Sequence, residues 1–583
     1  MSNAGAEVYQ FGEFLVDAAK RTLTNRANQQ ISLTPKAFDT LLYLLRHRGS
    51  VLDKEELMTA IWPDTVVEEN NLNQNISTLR RALGEGRGEH NYIATIPGRG
   101  YQLVAQVRDV TSETTAASGS PMKSIAVLPF KPLVEENRDA ALEMGMADTL
   151  IARLSSGEVI VRPISSVRRY GDLDQDPLAA GRELAVESVL EGTIQRWGDH
   201  IRVTVRLMSV LTGVALWTGS FNEKFTDIFA VQDAIAEKVA GALALQLNYE
   251  ERQRLTKRYT ENAEAYELYL RGLYHVNKLT PSDMQAGIAY FQQAIAIDAS
   301  YALAYVGLAN VFLRIPVAGE MPSTEFFSQA KEAALRAIEI DEHLAEAHAA
   351  LGWIIFWYDW NWKESENHFK RALAIDRNNA DSHLGYAHLL SNTGRHTDAL
   401  AEARRSRELD PLNLLGSALE GQFLLHAGRT DEALASLEKT CELEPRFWLG
   451  WIFESSAYIE KGMFDEAVAA ARKARDFSGG SFHAIAFGVY ALAKSSDKSE
   501  ARGLLDELLQ LSNSRYVPPY ILALAYHGLD DNLDERTETF ALLERGYDER
   551  DPKMVFLNVE PKWNDLRNDP RFQALLRRVG FTT

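Results

Sequence analysis

The amino-acid sequence predicts a multidomain α+β protein with a small N-terminal domain, a central small α/β domain and a C-terminal all-α repeat solenoid. Short strand patterns change to helical spacing within residues 1–108, and strands and helices alternate within residues 122–250. Small side chains then recur at a fixed interval within residues 261–583. These three patterns divide the chain into three folded regions.

The bulk composition is that of a folded protein without a membrane segment. Its 583 residues are 46% hydrophobic and 25% charged, close to the globular average. No run of 18 apolar residues occurs, and the start of the chain has no secretory pattern. Cys441 is the single cysteine, which excludes an intrachain disulfide and suits a reducing compartment. We therefore expect no membrane partner and a cytoplasmic location.

The acidic charge is unevenly distributed. The formal net charge is −19, but residues 1–108 contain 12 Lys and Arg against 12 Asp and Glu, so their net charge is zero. Residues 77–108 contain five arginines against two glutamates, a local balance of +3. Because phosphates meet the local surface, the acidic total does not exclude a nucleic-acid partner for the first region.

A linker and a mixed domain follow the first region. Residues 109–121, DVTSETTAASGSP, lack apolar periodicity and are typical of a flexible linker. Residues 122–250 open with the buried-strand pattern SIAVLPF, continue with three strands around turns at Gly198-Asp199 and Thr212-Gly213, and close with a helix. These segments resemble the TolB N-terminal-like domain. The resemblance implies a small α/β fold with a sensing or self-association role and names no ligand.

The third region has a 34-residue period. The residues that close the second helix of each unit are separated by 43, then 35, then five intervals of 34 positions. They are Ala294, Ala337, Ala372, Ser406, Thr440, Ala474, Leu508 and Leu542. Two further columns keep the same phase, namely Ala399, Ala433, Ala467 and Ala501, and Gly394, Gly428 and Gly462. Helix hairpins explain them, because closely crossing helices accept only small side chains and their turns need positive φ.

This pattern resembles the tetratricopeptide repeat, and residues 392–411, NTGRHTDALAEARRSRELDP, follow its consensus closely. The match covers residues 261–583, is weaker in the first two and last two repeats, and has an insertion around residues 313–327. Residues 561–581 are expected to form a capping helix. The resemblance implies a groove for a protein, peptide or small-molecule ligand, which the variable repeat surface does not identify.

The first region combines short strands with three helices and a final hairpin. Thr34 and Pro35 suit the N-cap and first position of one helix, and Asp53 with Glu56 suits a capping box at the start of the next. Residues 67–84, VEENNLNQNISTLRRALG, form the third helix, and YIATIPGRGYQLVA forms two strands around a Gly-Arg-Gly tip.

The third helix has an apolar stripe and an amide-rich opposite face. At about 100° per residue, Leu72, Ile76, Leu79 and Leu83 share one side. Asn70, Gln74, Ser77 and Arg81 lie opposite, with Asn71 and Thr78 beside them, whereas Asn73 and Asn75 lie off this face without an assigned role. Amides and arginine can form paired hydrogen bonds with base edges, but a solvated surface would also carry such residues.

The order of elements resembles the OmpR/PhoB-type winged helix-turn-helix, over about residues 8–105. The segments that carry the resemblance are LTPKAFDTLLYLL, EELMTAIWPDTVVEENNLNQNISTLRRALG and YIATIPGRGYQLV. The resemblance implies a recognition helix on double-stranded DNA, with a wing residue at Arg99 near the minor groove or a phosphate. The implied DNA-binding residues are Asn70, Asn71, Gln74, Ser77, Thr78, Arg80, Arg81 and Arg99. For Arg80, a phosphate contact and a surface ion pair are equally expected.

The resemblance also implies an RNA polymerase contact in the loop before the third helix. The matching residues are Trp62, Pro63, Asp64 and Thr65. Response regulators of the family carry a phosphoacceptor domain ahead of the winged helix, whereas this winged helix is N-terminal. Control by phosphorylation is therefore not expected.

Catalytic patterns are missing from the sequence. It contains no Gly-Lys pair of a P-loop, no HExxH, no GxSxG and no CxxC. His343 and His348, like His383 and His388, are five residues apart, which separates them by about 140° on a helix and makes them poor metal co-ligands. We expect no enzyme, no cofactor and no metal.

These patterns predict a sequence-specific transcriptional regulator whose winged helix binds DNA and whose repeats bind a signal. The alternative is a repeat scaffold whose winged helix mediates protein contacts, and a third hypothesis is a regulated enzyme that uses the middle domain. The target sequence, activation or repression, the effector and a homodimer all stay open.

Overall fold

The computed structural model describes residues 8–11, 14–18, 21–24, 30–31, 33–48, 51–62, 67, 69–85, 92–96, 98–105, 107–109, 123–132, 138–155, 159–171, 175–243, 245, 255–278, 280–319, 321–495, 498–529 and 533–581. The chain divides into two compact units, Met1–Pro121 and Met122–Thr583.

The first unit begins with an antiparallel sheet built from short strands. The strands are β1 (Val8–Phe11), β2 (Phe14–Asp17), β3 (Thr22–Thr24) and β4 (Gln30–Ile31). A later strand, β8 (Val107–Asp109), pairs with β1, so the order is β4-β3-β2-β1-β8. The first and last strands of the unit thus lie side by side in one sheet.

Three helices follow the first sheet. They are α1 (Pro35–Arg46), α2 (Lys54–Ile61) and α3 (Glu69–Ala82). The predicted start of α1 is confirmed, because Thr34 Oγ1 accepts a hydrogen bond from the Ala37 N–H at 3.3 Å. The predicted capping box of α2 is wrong, since the Asp53 side chain makes no cap hydrogen bond. Asp53 instead pairs with Gly100 in a sheet, and Glu56 accepts a bond from the Tyr43 hydroxyl.

A β-hairpin completes the helical half of the unit. Strands β6 (Ile93–Ile96) and β7 (Gly100–Leu103) pair with each other, and β5 (Leu52–Asp53) pairs with β7. Gly100 permits this pairing, because a Cβ there would lie 1.9 Å from the Leu52 carbonyl oxygen. The hairpin is the predicted wing, so the predicted strand and helix order is confirmed.

The second unit opens with a six-stranded mixed sheet. The strands are β9 (Lys123–Val127), β10 (Lys131–Pro132), β11 (Val159–Val161), β12 (Ser188–Trp197), β13 (His200–Ser209) and β14 (Ala215–Lys224). β9 is parallel to β11 and β12, whereas β12, β13 and β14 form an antiparallel meander. Both meander turns contain the predicted glycines, Gly198 and Gly213, at positive φ.

Helices of the α/β domain pack against the sheet and the repeats. They are α4 (Ala140–Leu154), α5 (Ile164–Val167), α6 (Pro177–Glu183) and α7 (Ile228–Ala242). The buried guanidinium of Arg162 donates to the Leu184 carbonyl within the domain and to the Leu409 carbonyl of a repeat, both at 2.9 Å. Ser165 Oγ donates to Asp410 at 2.7 Å. Hydrogen bonds therefore hold the domain against the repeats.

The repeats form eight successive helix hairpins. Their sixteen helices are α8 (Ala263–Val276), α9 (Pro281–Ile297), α10 (Ala302–Ala318), α11 (Ser323–Ile340), α12 (Ala345–Ile354), α13 (Trp362–Ile375), α14 (Ala380–Asn392), α15 (His396–Leu409), α16 (Leu414–His426), α17 (Thr430–Leu443), α18 (Trp448–Glu460), α19 (Phe464–Phe477), α20 (Phe482–Lys494), α21 (Lys498–Ser514), α22 (Pro519–Leu529) and α23 (Leu533–Asp548).

The small-residue columns have the predicted positions in these hairpins. All eight residues of the 34-residue column are buried, and the four alanines of the second column are fully buried. Gly394, Gly428 and Gly462 adopt φ values of 81°, 72° and 70° in the turns. The long first interval comes from the longer helices α10 and α11, which have 17 and 18 residues, and α10 includes Pro316.

Residues after the last hairpin turn into the interior of the solenoid. We call residues 551–566 the inner segment; it contains two 3₁₀ turns, Pro552–Phe556 and Pro561–Trp563. A helix, α24 (Pro570–Arg578), follows it and packs on α23. The predicted capping helix thus forms only at Pro570–Arg578, whereas residues 561–566 lie inside the repeats.

The inner segment contacts the first helices of five hairpins and the residues that follow α12. The Phe556 ring lies 5.6 Å from His388 of α14 and 6.2 Å from His426 of α16, measured between centroids. Lys562 Nζ donates to Ser456 Oγ of α18 at 2.8 Å. Three further contacts involve Trp357 after α12 with Phe556, Tyr490 of α20 with the Lys562 carbonyl, and Tyr520 of α22 with Trp563. The chain itself therefore fills the concave face from α12 to α22.

Candidate nucleic-acid interface

The buried face of α3 anchors the helix in the first unit. Leu72, Ile76, Leu79 and Leu83 are at most 3% exposed and belong to the core that α1 and α2 also form. This is the apolar stripe predicted from helical spacing. Because the stripe fixes the rotation of α3 about its axis, it also determines which side chains point outward.

The outward face of α3 carries polar side chains that have no partner among the described residues of the domain. Asn70, Asn71, Gln74, Ser77 and Arg81 are exposed. Within the described part of the chain, their side chains form no hydrogen bond or ion pair. Thr78 is half-buried, and its hydroxyl donates to the Gln74 carbonyl at 2.9 Å. Five of the predicted DNA-binding side chains are thus brought together with free donors and acceptors.

Asn73 and Asn75, the two amides without a predicted role, attach α3 to the rest of the domain. The Tyr101 hydroxyl of β7 donates to Asn73 Oδ1 at 2.6 Å. Asn75 Nδ2 donates to Thr40 Oγ1 of α1 at 3.2 Å. The amides of this helix therefore have two uses, because those beside the apolar stripe bind the wing and α1 while those opposite it face outward.

Arg80 also lies on the wing side of α3. Its Nη2 donates to the Ile93 carbonyl at 2.7 Å and to Thr95 Oγ1 at 2.8 Å, both on β6. Glu85 lies 3.5 Å from Arg80 Nε, so an ion pair, one of the two alternatives expected for Arg80, is present, with a buried rather than a surface carboxylate. Glu85 in turn accepts the Ile93 N–H at 3.2 Å. The guanidinium therefore joins the recognition helix to the wing.

We expect Arg80→Ala to destabilise the wing by about 1–3 kcal/mol, the usual cost of removing charged hydrogen bonds to a half-buried site. Hydrogen exchange of the amides in β6 and β7, measured by mass spectrometry on the full chain, checks this. Arg81→Ala is the matched control, since its exposed side chain has no partner in the described residues, and it should leave this exchange unchanged. Equal exchange in both variants would contradict the role of Arg80.

Arg99 lies at the tip of the wing. Gly98 adopts φ = 73°, and the Arg99 N–H donates to the Ile96 carbonyl at 3.0 Å, which closes the turn. The Arg99 side chain is exposed and has no partner among the described residues. The tip thus presents one arginine outward, as the sequence predicted.

The predicted polymerase loop is only partly described. Trp62 is half-buried, and Lys36 Nζ lies 5.8 Å from its ring while donating to the Ile61 carbonyl at 2.5 Å. Pro63, Asp64 and Thr65 lie outside the described residues.

These features together define a winged helix-turn-helix domain, in which a helix with an outward polar face stands beside a two-stranded wing. The sequence comparisons agree with this class. Residues 28–103 match the family "Transcriptional regulatory protein, C terminal", and residues 121–238 match "HilA/YgeH-like transcriptional regulator, second domain". The resemblance of the middle domain to the TolB N-terminal-like domain stays a prediction.

Two similar proteins are transcriptional regulators. The transcriptional regulator HilA of Salmonella typhimurium is 25% identical over 415 residues, which cover 69% of this chain and 70% of HilA. The transcriptional activator CadC of Escherichia coli is 35% identical over 101 residues, which cover 17% of this chain and 20% of CadC. The chain is thus a homologue of DNA-binding transcriptional regulators and carries their OmpR/PhoB-type domain.

A third similar protein is named as a putative enzyme rather than as a transcriptional regulator. Putative adenylate cyclase 3 of Rhizobium meliloti is 29% identical over 239 residues, which cover 40% of each protein. Among the described residues of this chain, no cluster of His, Cys, Asp and Glu is arranged to hold a metal ion. None of the described helices combines the length and the apolar character needed to cross a membrane.

Proposed function

We propose that α3 enters the major groove of double-stranded DNA and that its outward side chains select the base sequence. Asn71 and Gln74 suit paired hydrogen bonds with adenine, and Arg81 suits guanine. Asn70, Ser77 and Thr78 flank them and would contact neighbouring bases or phosphates. Arg99 at the wing tip would enter the minor groove or contact a phosphate.

The separation of the polar side chains of α3 into two groups carries this proposal. Asn73, Asn75 and Arg80 are occupied by Tyr101, Thr40 and β6, whereas the side chains on the opposite face have no partner within the described part of the chain. A merely solvated face would not need asparagine, as at Asn70 and Asn71, since lysine and glutamate are better helix formers. Arg80 on this view acts indirectly, because it holds the wing beside α3.

The rest of the proposal concerns the other partners. We infer a regulator without enzymatic activity in the cytoplasm, whose repeats bind a signal. The segment Trp62, Pro63, Asp64 and Thr65 would contact RNA polymerase, as the resemblance implies. A homodimer would place two α3 helices on half-sites about 34 Å apart, and the footprint length would report it.

Selection from a random duplex library with the full-length chain tests the proposal. We expect enrichment of one sequence motif, and footprinting across the genome should then identify sites that contain it. Enrichment without any motif, or no DNA binding even at low salt, would contradict sequence-specific binding. If the wild-type protein binds no DNA but still binds RNA polymerase, the result favours the alternative, a repeat scaffold whose winged helix mediates protein contacts.

We expect Arg99→Ala to weaken DNA binding to all sequences by a similar factor. Each phosphate contact releases condensed counterions, so loss of one lowers the slope of log K against log salt by about 0.9. Fluorescence anisotropy at several salt concentrations measures this slope on the selected site and on a scrambled duplex. A change confined to the selected site would contradict a phosphate contact.

A further inference from the structure

The α/β domain packs on the first repeats, where α4 contacts α8. Because the inner segment fills the face from α12 to α22, a long peptide has no free path along it. A cavity of about 170 Å³ lies where α4 of the α/β domain meets α8 and α10. Its size is that of a small molecule, since cavities of about 150 Å³ admit a benzene ring.

The cavity has an apolar lining and charged groups. Met144, Ile164, Leu270, Phe291 and Val311 supply much of the apolar surface. Asp148 of α4 and Arg314 of α10 also line it, together with the amides of Asn277 and Asn310. The two charged residues come from the two structural parts that meet here, so the cavity exists only while the α/β domain is packed on the repeats.

Neither charged side chain has a directly bonded partner in the described part of the chain. Asp148 and Arg314 form no hydrogen bond or ion pair, with each other or with any other described residue. Burial raises the pKa of Asp148 to about 6. Burial also lowers the pKa of Arg314, against the opposing charge of Asp381. The Arg314 side chain lines the cavity and is exposed to solvent, so a ligand can reach it.

A partly buried, unpaired carboxylate such as that of Asp148 is costly unless a ligand compensates it, and the exposed guanidinium of Arg314 can meet the opposite end of such a ligand. One acid and one base on the same cavity match a ligand that carries both an ammonium and a carboxylate. A diamine would place a cation near Arg314, and a dicarboxylate would place an anion near Asp148. The apolar lining adds a requirement for a hydrocarbon side chain.

We propose that this cavity binds an α-amino acid with a small apolar side chain, whose carboxylate contacts Arg314 and whose ammonium contacts Asp148. The proposal deepens the ligand-binding part of the proposed function and rests on it. It replaces the open choice of a protein, peptide or small molecule by one class of small molecule. The proposal that α3 binds DNA does not depend on this assignment.

Isothermal titration calorimetry of the full-length protein tests the assignment, with L-leucine and L-valine as probes. We expect at least one of them to bind with a Kd below about 1 mM. 4-Methylpentanoate lacks the ammonium of leucine, and isopentylamine lacks its carboxylate. Each should bind wild-type protein about tenfold or more weakly than leucine, because each loses one charge-assisted contact.

Variants then assign each charge to one end of the ligand. In Asp148→Asn, leucine should lose its advantage over 4-methylpentanoate but keep it over isopentylamine. In Arg314→Gln, leucine should keep its advantage over 4-methylpentanoate but lose it over isopentylamine. The exposed pair Asp465→Asn and Arg404→Gln serves as a matched control and should leave both ratios unchanged. A general structural defect would weaken all probes equally and would not produce these opposite patterns.

Several results would overturn the assignment. One is that neither amino acid binds at about 10 mM. Another is that 1,4-diaminobutane or succinate binds more tightly than the amino acids. A third is that the affinity ratios of leucine to 4-methylpentanoate and to isopentylamine are the same in the variants as in wild type. Anisotropy on the selected DNA site, measured on the same preparations, separates the two proposals. Intact DNA binding without amino-acid binding counts against the cavity alone, and the opposite result counts against α3 alone.

Discussion

Trp563→Ala should lower the free energy of unfolding of the second unit by about 3–5 kcal/mol, the usual cost of truncating a buried aromatic side chain. Trp563 is fully buried in the inner segment. Its Nε1 donates to the Tyr520 hydroxyl at 2.8 Å, and its ring stacks on His527 with centroids 4.9 Å apart. The substitution removes this packing and leaves the Tyr520 hydroxyl without its donor, so two costs add.

Urea unfolding followed by far-ultraviolet circular dichroism measures this effect, since most of the helical signal comes from the repeats. Trp197→Ala is the matched control, because Trp197 is 42% exposed on the meander of the α/β domain. We expect the control to change stability by less than about 1 kcal/mol. If the free energy of unfolding of Trp563→Ala lies within about 1 kcal/mol of the wild-type value, the inner segment does not stabilise the repeats.

The repeat architecture was predictable from the sequence because it is periodic. Helix crossings recur, so Ala399, Ala433 and their equivalents recur in phase and indicate the hairpins directly. The inner segment was not predictable in the same way, because it occurs once. Its contacts join Phe556 to His388 and His426 across more than a hundred residues. A periodic pattern predicts where each hairpin ends, but it does not predict the path of a segment that occurs once.

In the recognition helix, too, spacing in the sequence predicted some features, whereas others depended on tertiary packing. Helical spacing correctly separated the stripe of Leu72 from the polar face of Arg81. It gave no role to Asn73 and Asn75, whose partners are 28 and 35 residues away in the chain. An angle on a helical wheel identifies the side of a helix, whereas the neighbour on that side depends on tertiary packing. The cavity at Asp148 and Arg314 was missed for this reason too.

The outward face of α3 leads to the largest expected effect on DNA binding. Replacing Asn71, Gln74 and Arg81 together by alanine should abolish the preference of the protein for its selected site. Each paired contact with a base contributes about 1–3 kcal/mol of discrimination, so the joint loss of three corresponds to roughly a hundredfold or more in the specificity ratio. Non-specific binding should persist, because it depends on phosphates rather than on base edges.

Fluorescence anisotropy of the full-length protein, on the selected duplex and on a scrambled one, measures that ratio. The single variant Arg81→Ala should lose about 1–3 kcal/mol at the selected site and relax the preference at one position, which a repeated selection would locate. Lys498→Ala, a substitution in the repeats, is the control for protein quality. Because the three side chains are exposed and unpaired among the described residues, the triple variant should keep the wild-type hydrogen exchange of the amides in β6 and β7. If it does so and still prefers the selected duplex by the wild-type ratio, sequence recognition lies elsewhere than on α3.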